Sequence, residues 1–138
     1  MRQAAGLFFY STDTDRFLYL MRNDRHNSLS WSIPGGTIEK EETLLSGLKR
    51  ECIEEVNFFP KAAKLIPIQK FVSNNFVYHT FFCAIKSEFI PELNHEHFGY
   101  AWVDRGQYPK PLHPGLFTTI KIDVVQEKIQ ALINKNGS

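Results

Sequence analysis

The chain has 138 residues, 43% of them apolar, and a formal net charge of +1. Such a length and apolar share are typical of one globular domain with a substantial core and argue against a disordered chain. The near-neutral charge argues against a dedicated nucleic-acid-binding protein, whose surface is usually strongly basic. No apolar run has the length of a membrane span, and the run in the N-terminal MRQAAGLFFYSTDTD is too short for a signal peptide. We therefore expect a single cytoplasmic domain over residues 1–138.

Two short runs of aromatic and aliphatic residues near the N-terminus predict a pair of strands. They are Ala4–Tyr10 and Arg16–Arg22, and the polar cluster STDTD separates them as a turn. The polar stretch Asn23–Ser30 and the IPGG stretch at Ile33–Gly36 are predicted as loops, because Pro and Gly interrupt regular structure.

Residues 43–56 give the strongest helix prediction. Thr43 suits the N-cap position, and Gly47, which costs a helix interior about 1 kcal/mol relative to alanine, indicates close packing at that point. Five apolar residues recur at helical spacing and predict one buried stripe. They are Leu44, Leu45, Leu48, Cys52 and Val56.

The second half of the chain predicts three further strands and a C-terminal helix. Ala63–Val72 and Phe76–Ile85 are predicted as strands joined by SNN, and Pro67 indicates that the first is an edge or bulged strand. Phe98–Asp104 is predicted as a strand, RGQYPKPLHPG as a loop and Ile120–Ile133 as an amphipathic helix. This order of elements predicts an α/β fold, with a mixed sheet covered by helices on both faces.

The chain has two cysteines, Cys52 in the charged helical stretch and Cys83 in an apolar run. Neither a CxxC pair nor a Cys/His cluster with zinc spacing is present in the sequence. We predict two buried free thiols in a reducing compartment.

Three glutamates crowd one turn of the predicted helix. Glu51, Glu54 and Glu55 fall within about 100° of one another on a helical wheel, and like charges so placed destabilise a helix by about 0.2–0.5 kcal/mol per pair. Convergent carboxylates favour a hard divalent cation such as Mg²⁺, which would offset the repulsion, polarise a phosphoryl oxygen and activate a water. The alternative is a solvated acidic face on a surface helix.

The residues around these glutamates resemble the signature of the Nudix hydrolases. That signature is Gly, five residues, Glu, seven residues, Arg-Glu, an aliphatic residue, any residue, Glu-Glu, any residue, Gly and an aliphatic residue. The chain reads GTIEKEETLLSGLKRECIEEVNF from Gly36 to Phe58, and the preceding WSIPGG is similar to the family's Trp-x-x-Pro-Gly-Gly. The positions in register are Gly36, Glu42, Arg50, Glu51, Glu54 and Glu55.

Two positions depart from the signature. Cys52 stands where an aliphatic residue is usual, a mild change because a free cysteine behaves as a small hydrophobe. Asn57 replaces the closing Gly, and Asn is the residue that best substitutes for Gly in a left-handed conformation at a helix end.

The resemblance implies an α/β/α sandwich with a mixed sheet. It also implies hydrolysis of a phosphoanhydride in a nucleoside diphosphate derivative with Mg²⁺ or Mn²⁺. Arg50 would orient the glutamates by pairing with Glu42, and the alternative for Arg50 is a simple i,i+4 ion pair with Glu54. Glu51 or Glu54 would assist the attacking water. The implied metal ligands are the Gly36 carbonyl and the side chains of Glu51, Glu54 and Glu55.

Glu96 is the catalytic candidate outside the signature, because the family often supplies an extra ligand or base from a loop outside the helix. The alternative is a loop acid in solvent. His95 and His97 are further candidate bases, although isolated histidines are more often structural.

Arg22 and Arg25 precede the Pro-Gly-Gly loop and are candidates for contacts with substrate phosphates, against the alternative of plain surface charge. Tyr78 and Phe76 are candidates for stacking on a base, although strand aromatics are more often core residues. Trp31 is interpreted as a packing residue.

The sequence does not define the substrate. Downstream markers typical of ADP-ribose, NADH and diadenosine polyphosphate hydrolases are absent or poorly matched. IEKEETLLSGLKR and HEHFGYAWV resemble GDP-mannose hydrolases, which cleave at carbon, but that branch lacks part of the glutamate set present here. We therefore expect pyrophosphate cleavage in a nucleotide sugar, a nucleoside triphosphate or a dinucleotide.

The alternative functions are glycosyl cleavage of the GDP-mannose hydrolase type and a non-catalytic Nudix-fold binding protein. An RNA-end pyrophosphohydrolase is a further alternative, which the near-neutral charge disfavours. A homodimer is common in the family and is the weak expectation for assembly.

Overall fold

The computed structural model describes residues 1–23, 29–61 and 64–136. Within these ranges no helix is both long and apolar enough to cross a bilayer. The strands are β1 (Arg2–Ser11), β2 (Arg16–Arg22), β3 (Trp31–Ser32), β4 (Gly35–Ile38), β5 (Ile66–Ser73), β6 (Phe76–Ile85) and β7 (His97–Asp104). The helices are α1 (Leu44–Val56), α2 (Pro114–Ile120) and α3 (Asp123–Asn136).

In the described ranges, seven strands form one mixed sheet with β1 near its centre. β1 is parallel to β6 along one edge. Along its other edge β1 is antiparallel to β4 at residues 3–6 and to β2 at residues 10–11. β7 pairs with β2, and β5 pairs with β6. Because β1 pairs first with β4 and then with β2 along the same edge, the ends of β2, β4 and β7 meet beside α1, where the candidate site lies.

Alternation along β1 gives the sheet two apolar faces. Leu7 and Phe9 pack with α1, whereas Phe8 and Tyr10 pack with α2 and α3, and all four are at most 2% exposed. The helix residues that cover these faces are Leu48, Cys52 and Val56 of α1 and Val125, Ile129 and Ile133 of α3. The prediction of an α/β fold with a mixed sheet and helices on both faces is confirmed.

α1 begins and ends at the residues that the sequence predicts. The Thr43 hydroxyl accepts a hydrogen bond from the Ser46 N–H at 3.1 Å, and the Ser46 hydroxyl accepts one from the Thr43 N–H at 3.0 Å. Asn57 ends the helix in the left-handed conformation, at φ 56° and ψ 36°. The placement of Leu45 in the apolar stripe is wrong, since Leu45 is 50% exposed, whereas Leu44 is partly buried against the core face.

The IPGG loop prediction is wrong in its second half. Gly35 and Gly36 belong to β4 and pair with Gly6 and Ala5 of β1. The two glycines are therefore strand residues, and a Cβ on Gly35 would lie 2.0 Å from the Ala5 carbonyl oxygen of β1.

The C-terminal helix prediction is also wrong in its bounds. Ile120 ends α2, and α3 begins only at Asp123. α2 begins at Pro114, inside the predicted loop, because Pro is favourable at a first helical position where no N–H bond is needed.

β5 is the last strand on its side of the sheet, and its register shifts between Pro67 and Gln69. The prediction of an edge or bulged strand is confirmed. The predicted start at Ala63 lies outside the described residues, and β5 begins at Ile66, the first residue paired with β6. Cys52 and Cys83 are both free and buried, as predicted.

Leu48→Ala is expected to lower the free energy of unfolding by about 2–5 kcal/mol, because truncating a fully buried leucine leaves a cavity. Leu48 is 0% exposed, whereas Leu45 in the same helix is 50% exposed. Leu45→Ala is therefore the matched control and is expected to change stability much less. Urea unfolding followed by circular dichroism measures both variants, and equal losses would contradict the assignment of Leu48 to the core face.

Candidate active site

A cavity of about 340 Å³ lies between the strand ends and the second half of α1. Its walls combine backbone of β4 with side chains from α1, β2, β6 and the start of β7. The charged and polar residues that line it include Arg22, Glu51, Glu55, Tyr78, Glu96 and His97.

The backbone of β4 lies directly against two carboxylates of α1. The Gly35 N–H donates to Glu55 Oε1 at 2.9 Å. A Cβ on Gly36 would lie 2.5 Å from Glu51 Oε2, closer than real Cβ atoms approach, so the contact requires glycine. Gly35 also adopts φ 150°, which favours glycine. The two glycines therefore bring both carboxylates to the wall of the cavity.

Arg50 joins the helix carboxylates in one ion-pair network. Its Nε and Nη2 donate to the two Glu42 oxygens at 2.6 and 2.9 Å. Its Nη1 donates to Glu51 at 3.1 Å and to Glu54 at 3.2 Å, and Nη2 also donates to the Thr37 carbonyl at 3.1 Å. The pairing with Glu42 and the alternative pairing with Glu54 are both present. Since the guanidinium is planar and rigid, it holds Glu51 in a defined position relative to β4.

Burial and like charge act together on the inner carboxyl groups. Glu55 is only 4% exposed, and desolvation raises its pKa to about 9. The Gly35 hydrogen bond lowers this pKa, whereas the charges of Glu51 and Glu96 raise it further. Desolvation also raises the pKa of Glu51, against the lowering effect of the Arg50 charge. Burial therefore disfavours the charged forms of both carboxyl groups, and a bound cation would favour them.

The donor set fits a hard divalent cation. Glu51, Glu55 and Glu96 offer carboxylate oxygens to one cavity, and oxygen ligands are those that Mg²⁺ and Mn²⁺ prefer. Over residues 1–23, 29–61 and 64–136, no three Asp, Glu, His or Cys side chains stand close enough to hold an ion by themselves. Mg²⁺ is usually bound by one or two carboxylates together with waters and substrate phosphates. Glu54 is 49% exposed and pairs with Arg50 outside the cavity lining.

The segment that carries Glu96 is attached to both α1 and β2. The Asn57 side chain donates to Glu92 Oε2 at 2.8 Å, and the Glu92 N–H donates to the Val56 carbonyl at 3.1 Å. The Asn23 N–H donates to the Glu96 carbonyl at 2.8 Å. These bonds bring Glu96 to the cavity, so that the Asn at the helix end also anchors this segment.

The other predicted site residues divide into two groups. Arg22, Tyr78 and His97 line the cavity. His95 is exposed outside the lining, and its carbonyl accepts a hydrogen bond from the Asn23 side chain at 3.0 Å. Arg25 lies outside the described residues.

The two remaining aromatic residues differ in their surroundings. The Phe76 ring contacts the Arg2 guanidinium, 4.9 Å from the ring centroid, and does not line the cavity. Trp31 is partly buried and packs against the core on the α2 and α3 face, which confirms its interpretation as a packing residue.

Sequence reasoning missed Thr37 and Gly6. Thr37 contributes its backbone carbonyl to Arg50, which no side-chain pattern reveals. Gly6 contacts the Tyr78 hydroxyl so closely that no Cβ would fit. A signal for Gly6 exists, because a glycine inside an apolar strand indicates the close approach of another group.

A family model for the NUDIX domain matches residues 1–121. The chain therefore belongs to the NUDIX domain family, which confirms the family that its sequence resembles. No curated protein sequence gives a significant match.

Solved structures of Nudix proteins share the fold. The M. smegmatis Nudix hydrolase RenU is 17% identical, with a TM-score of 0.72 over 96% of this chain and 85% of that chain. A C. elegans Ap4A hydrolase is 19% identical, with a TM-score of 0.69 over 95% and 98%. The E. coli dihydroneopterin triphosphate pyrophosphohydrolase is 25% identical, with a TM-score of 0.61 over 74% and 80%.

Glu42→Gln is expected to remove a pH-dependent part of the stability. The Arg50 hydrogen bonds lower the pKa of Glu42 from 4.5 to about 2. This contribution is therefore complete above pH 4.5 and is lost as the pH falls toward 2. The melting-temperature difference between wild type and variant should be largest at neutral pH and shrink on acidification.

The exposed neighbour Glu41 provides the control, since Glu41→Gln should show no such pH-dependent difference. A gap between wild type and Glu42→Gln that stays constant from neutral to acidic pH would contradict the ion pair.

Asn57→Ala is expected to lower the free energy of unfolding by about 1 kcal/mol relative to Asn57→Gly, because a Cβ is unfavourable at positive φ. Both variants lose the hydrogen bond to Glu92, so the difference between their stabilities reports only the cost of a Cβ in the left-handed backbone conformation. Urea denaturation of the two proteins measures it. Equal stabilities would show that the helix does not end in the left-handed conformation.

Proposed function

We propose that the chain hydrolyses the pyrophosphate linkage of a nucleoside diphosphate derivative or a related triphosphate, with Mg²⁺ or Mn²⁺ as the cofactor. The observation that carries this proposal is the meeting of Glu51, Glu55 and Glu96 with Arg22 in one cavity. The carboxylates supply hard oxygen ligands, and the guanidinium supplies a charge complementary to phosphate.

We assign the metal to the Gly36 carbonyl and to the carboxylates of Glu51 and Glu55, which line the cavity. Glu54, the further ligand that the family resemblance implies, pairs with Arg50 outside the cavity lining. When bound, the metal neutralises charge on the phosphoryl oxygens and makes a water more acidic. Arg50 is a positioning residue that fixes Glu51 through its bonds to Glu42 and Thr37.

The proton of the attacking water goes to a carboxylate oxygen of Glu51, Glu54 or Glu96. Arg22 binds a phosphate of the substrate, and Arg25, on the same sequence argument, is its candidate companion. Rate enhancement then comes mainly from positioning and charge stabilisation, as in phosphoryl transfer generally.

The substrate panel follows from the sequence and from the relatives. It contains nucleotide sugars, nucleoside triphosphates and dinucleotides. Dihydroneopterin triphosphate is included because the E. coli pyrophosphohydrolase that acts on it is 25% identical to this chain. GDP-mannose is included because HEHFGYAWV resembles the mannosyl hydrolases, and the release of free mannose in a reaction without phosphatase would identify glycosyl cleavage.

Glu51→Gln is expected to lower kcat/KM by about 100-fold or more on the substrate that turns over, because it removes a charged ligand or base from the reaction centre. The assay is phosphate release from the panel, coupled to a phosphatase, at mildly alkaline pH with Mg²⁺, Mn²⁺ or a chelator. Glu41→Gln, on the exposed side of the same segment, is the charge-matched control and should retain full activity.

Two results would contradict the proposal: no turnover of any panel member with either metal, or full activity of both Glu51→Gln and Glu54→Gln. A fully active Glu96→Gln variant has a narrower meaning, because it would remove only Glu96 from the reaction centre.

A further inference from the structure

The Tyr78 hydroxyl is a neutral group in a cavity that is also lined by Arg22, Glu51, Glu55 and Glu96. Tyr78 stands on β6 beside Ala4 of the parallel strand β1. Its side chain extends along β1 until the hydroxyl lies over Gly6, where an added Cβ would be 2.2 Å from the oxygen. Gly6 thus leaves the space through which the hydroxyl reaches the cavity that Tyr78 lines.

This hydroxyl has no hydrogen-bond partner among residues 1–23, 29–61 and 64–136, and it is not one of their fully buried unpaired atoms. It therefore opens onto the cavity. Burial raises the pKa of Tyr78, and the nearby Glu55 carboxylate adds to this effect. The phenol accordingly keeps its proton at neutral pH and is available as a donor.

We infer that Tyr78 contacts the substrate of the proposed pyrophosphatase, with its hydroxyl donating a hydrogen bond to a non-bridging oxygen of the diphosphate. Gly6 is the positioning residue that admits the hydroxyl. The inference rests on the proposed function and assigns Tyr78 a role different from base stacking.

The neighbouring groups support a phosphate oxygen as the acceptor. Glu51 is engaged by Arg50 at 3.1 Å and Glu55 by the Gly35 N–H at 2.9 Å. Arg22 lines the same cavity and attracts an anion to it. The hydroxyl end of the ring lies close to Gly6 and Ile33, since Tyr78 Cζ and Ile33 Cδ1 lie 3.1 and 3.0 Å from the Cβ position of Gly6.

The test uses isothermal titration calorimetry in the presence of Mg²⁺. It measures the binding of methylenediphosphonate, a diphosphate analogue whose P–C–P bridge cannot be hydrolysed. Tyr78→Phe is expected to weaken binding by about tenfold or more, because it removes one hydrogen bond to a charged acceptor. Tyr108→Phe removes a phenol hydroxyl outside this cavity and is expected to leave binding unchanged.

Gly6→Ala tests the route of the hydroxyl into the cavity. It is expected to weaken binding as much as Tyr78→Phe, since the new methyl group displaces the hydroxyl. In the double variant Gly6→Ala/Tyr78→Phe the closest clash is gone, so its binding should equal that of Tyr78→Phe alone. Melting temperatures show whether each variant is folded, and Tyr78→Phe decides the question if Gly6→Ala does not fold.

The inference is overturned if the Tyr78→Phe variant binds methylenediphosphonate as tightly as the wild type. It is also overturned if the losses of affinity from Gly6→Ala and Tyr78→Phe add in the double variant. Either result leaves the proposed function standing. Failure of the proposed function has a different signature, which is the absence of metal-dependent turnover by the wild-type protein on the substrate panel.

Discussion

Three carboxylates within five residues of one helix repel one another, and the arrangement of the site depends on how this repulsion is managed. The Arg50 guanidinium binds Glu51 and Glu54 from the helix and Glu42 from the preceding segment. It leaves Glu55 to the Gly35 N–H. Glu54 is thus paired outside the cavity. Glu51 and Glu55 face into the cavity, at an energetic cost that a bound cation would lower.

The fold supplies this arrangement through one strand. β1 pairs with β4 along its first half and with β2 at its end, and the ends of β2, β4 and β7 come together next to α1. The apolar stripe of α1 anchors the helix on the sheet, so the glutamates beside that stripe have little freedom to move apart. Gly36 then permits a contact with Glu51 that any other residue would prevent. The packing and the charge cluster therefore depend on the same few residues.

α1, its caps and the Arg50–Glu42 pair are predictable because each depends on residues close in sequence or on the family signature. Glu96 lies outside that signature, and its position at the site is predictable only because the family often supplies a ligand or base from another loop. β4 and α2 were missed because Gly and Pro were interpreted as interruptions. Pairing with β1 makes a strand of Gly35 and Gly36, and Pro114 is well suited to begin a helix. The meeting of Gly6 with Tyr78 depends on the parallel register of β1 and β6, which no local pattern specifies.

If Glu51 and Glu55 form a divalent-cation site in the cavity beside β4, Mn²⁺ soaked into crystals binds there. Anomalous diffraction should then show a peak inside the cavity, about 2.1 Å from a carboxylate oxygen of Glu51 or Glu55. An ordered Mn²⁺ found only elsewhere on the molecule, or a cavity without a peak at saturating Mn²⁺, would exclude this site.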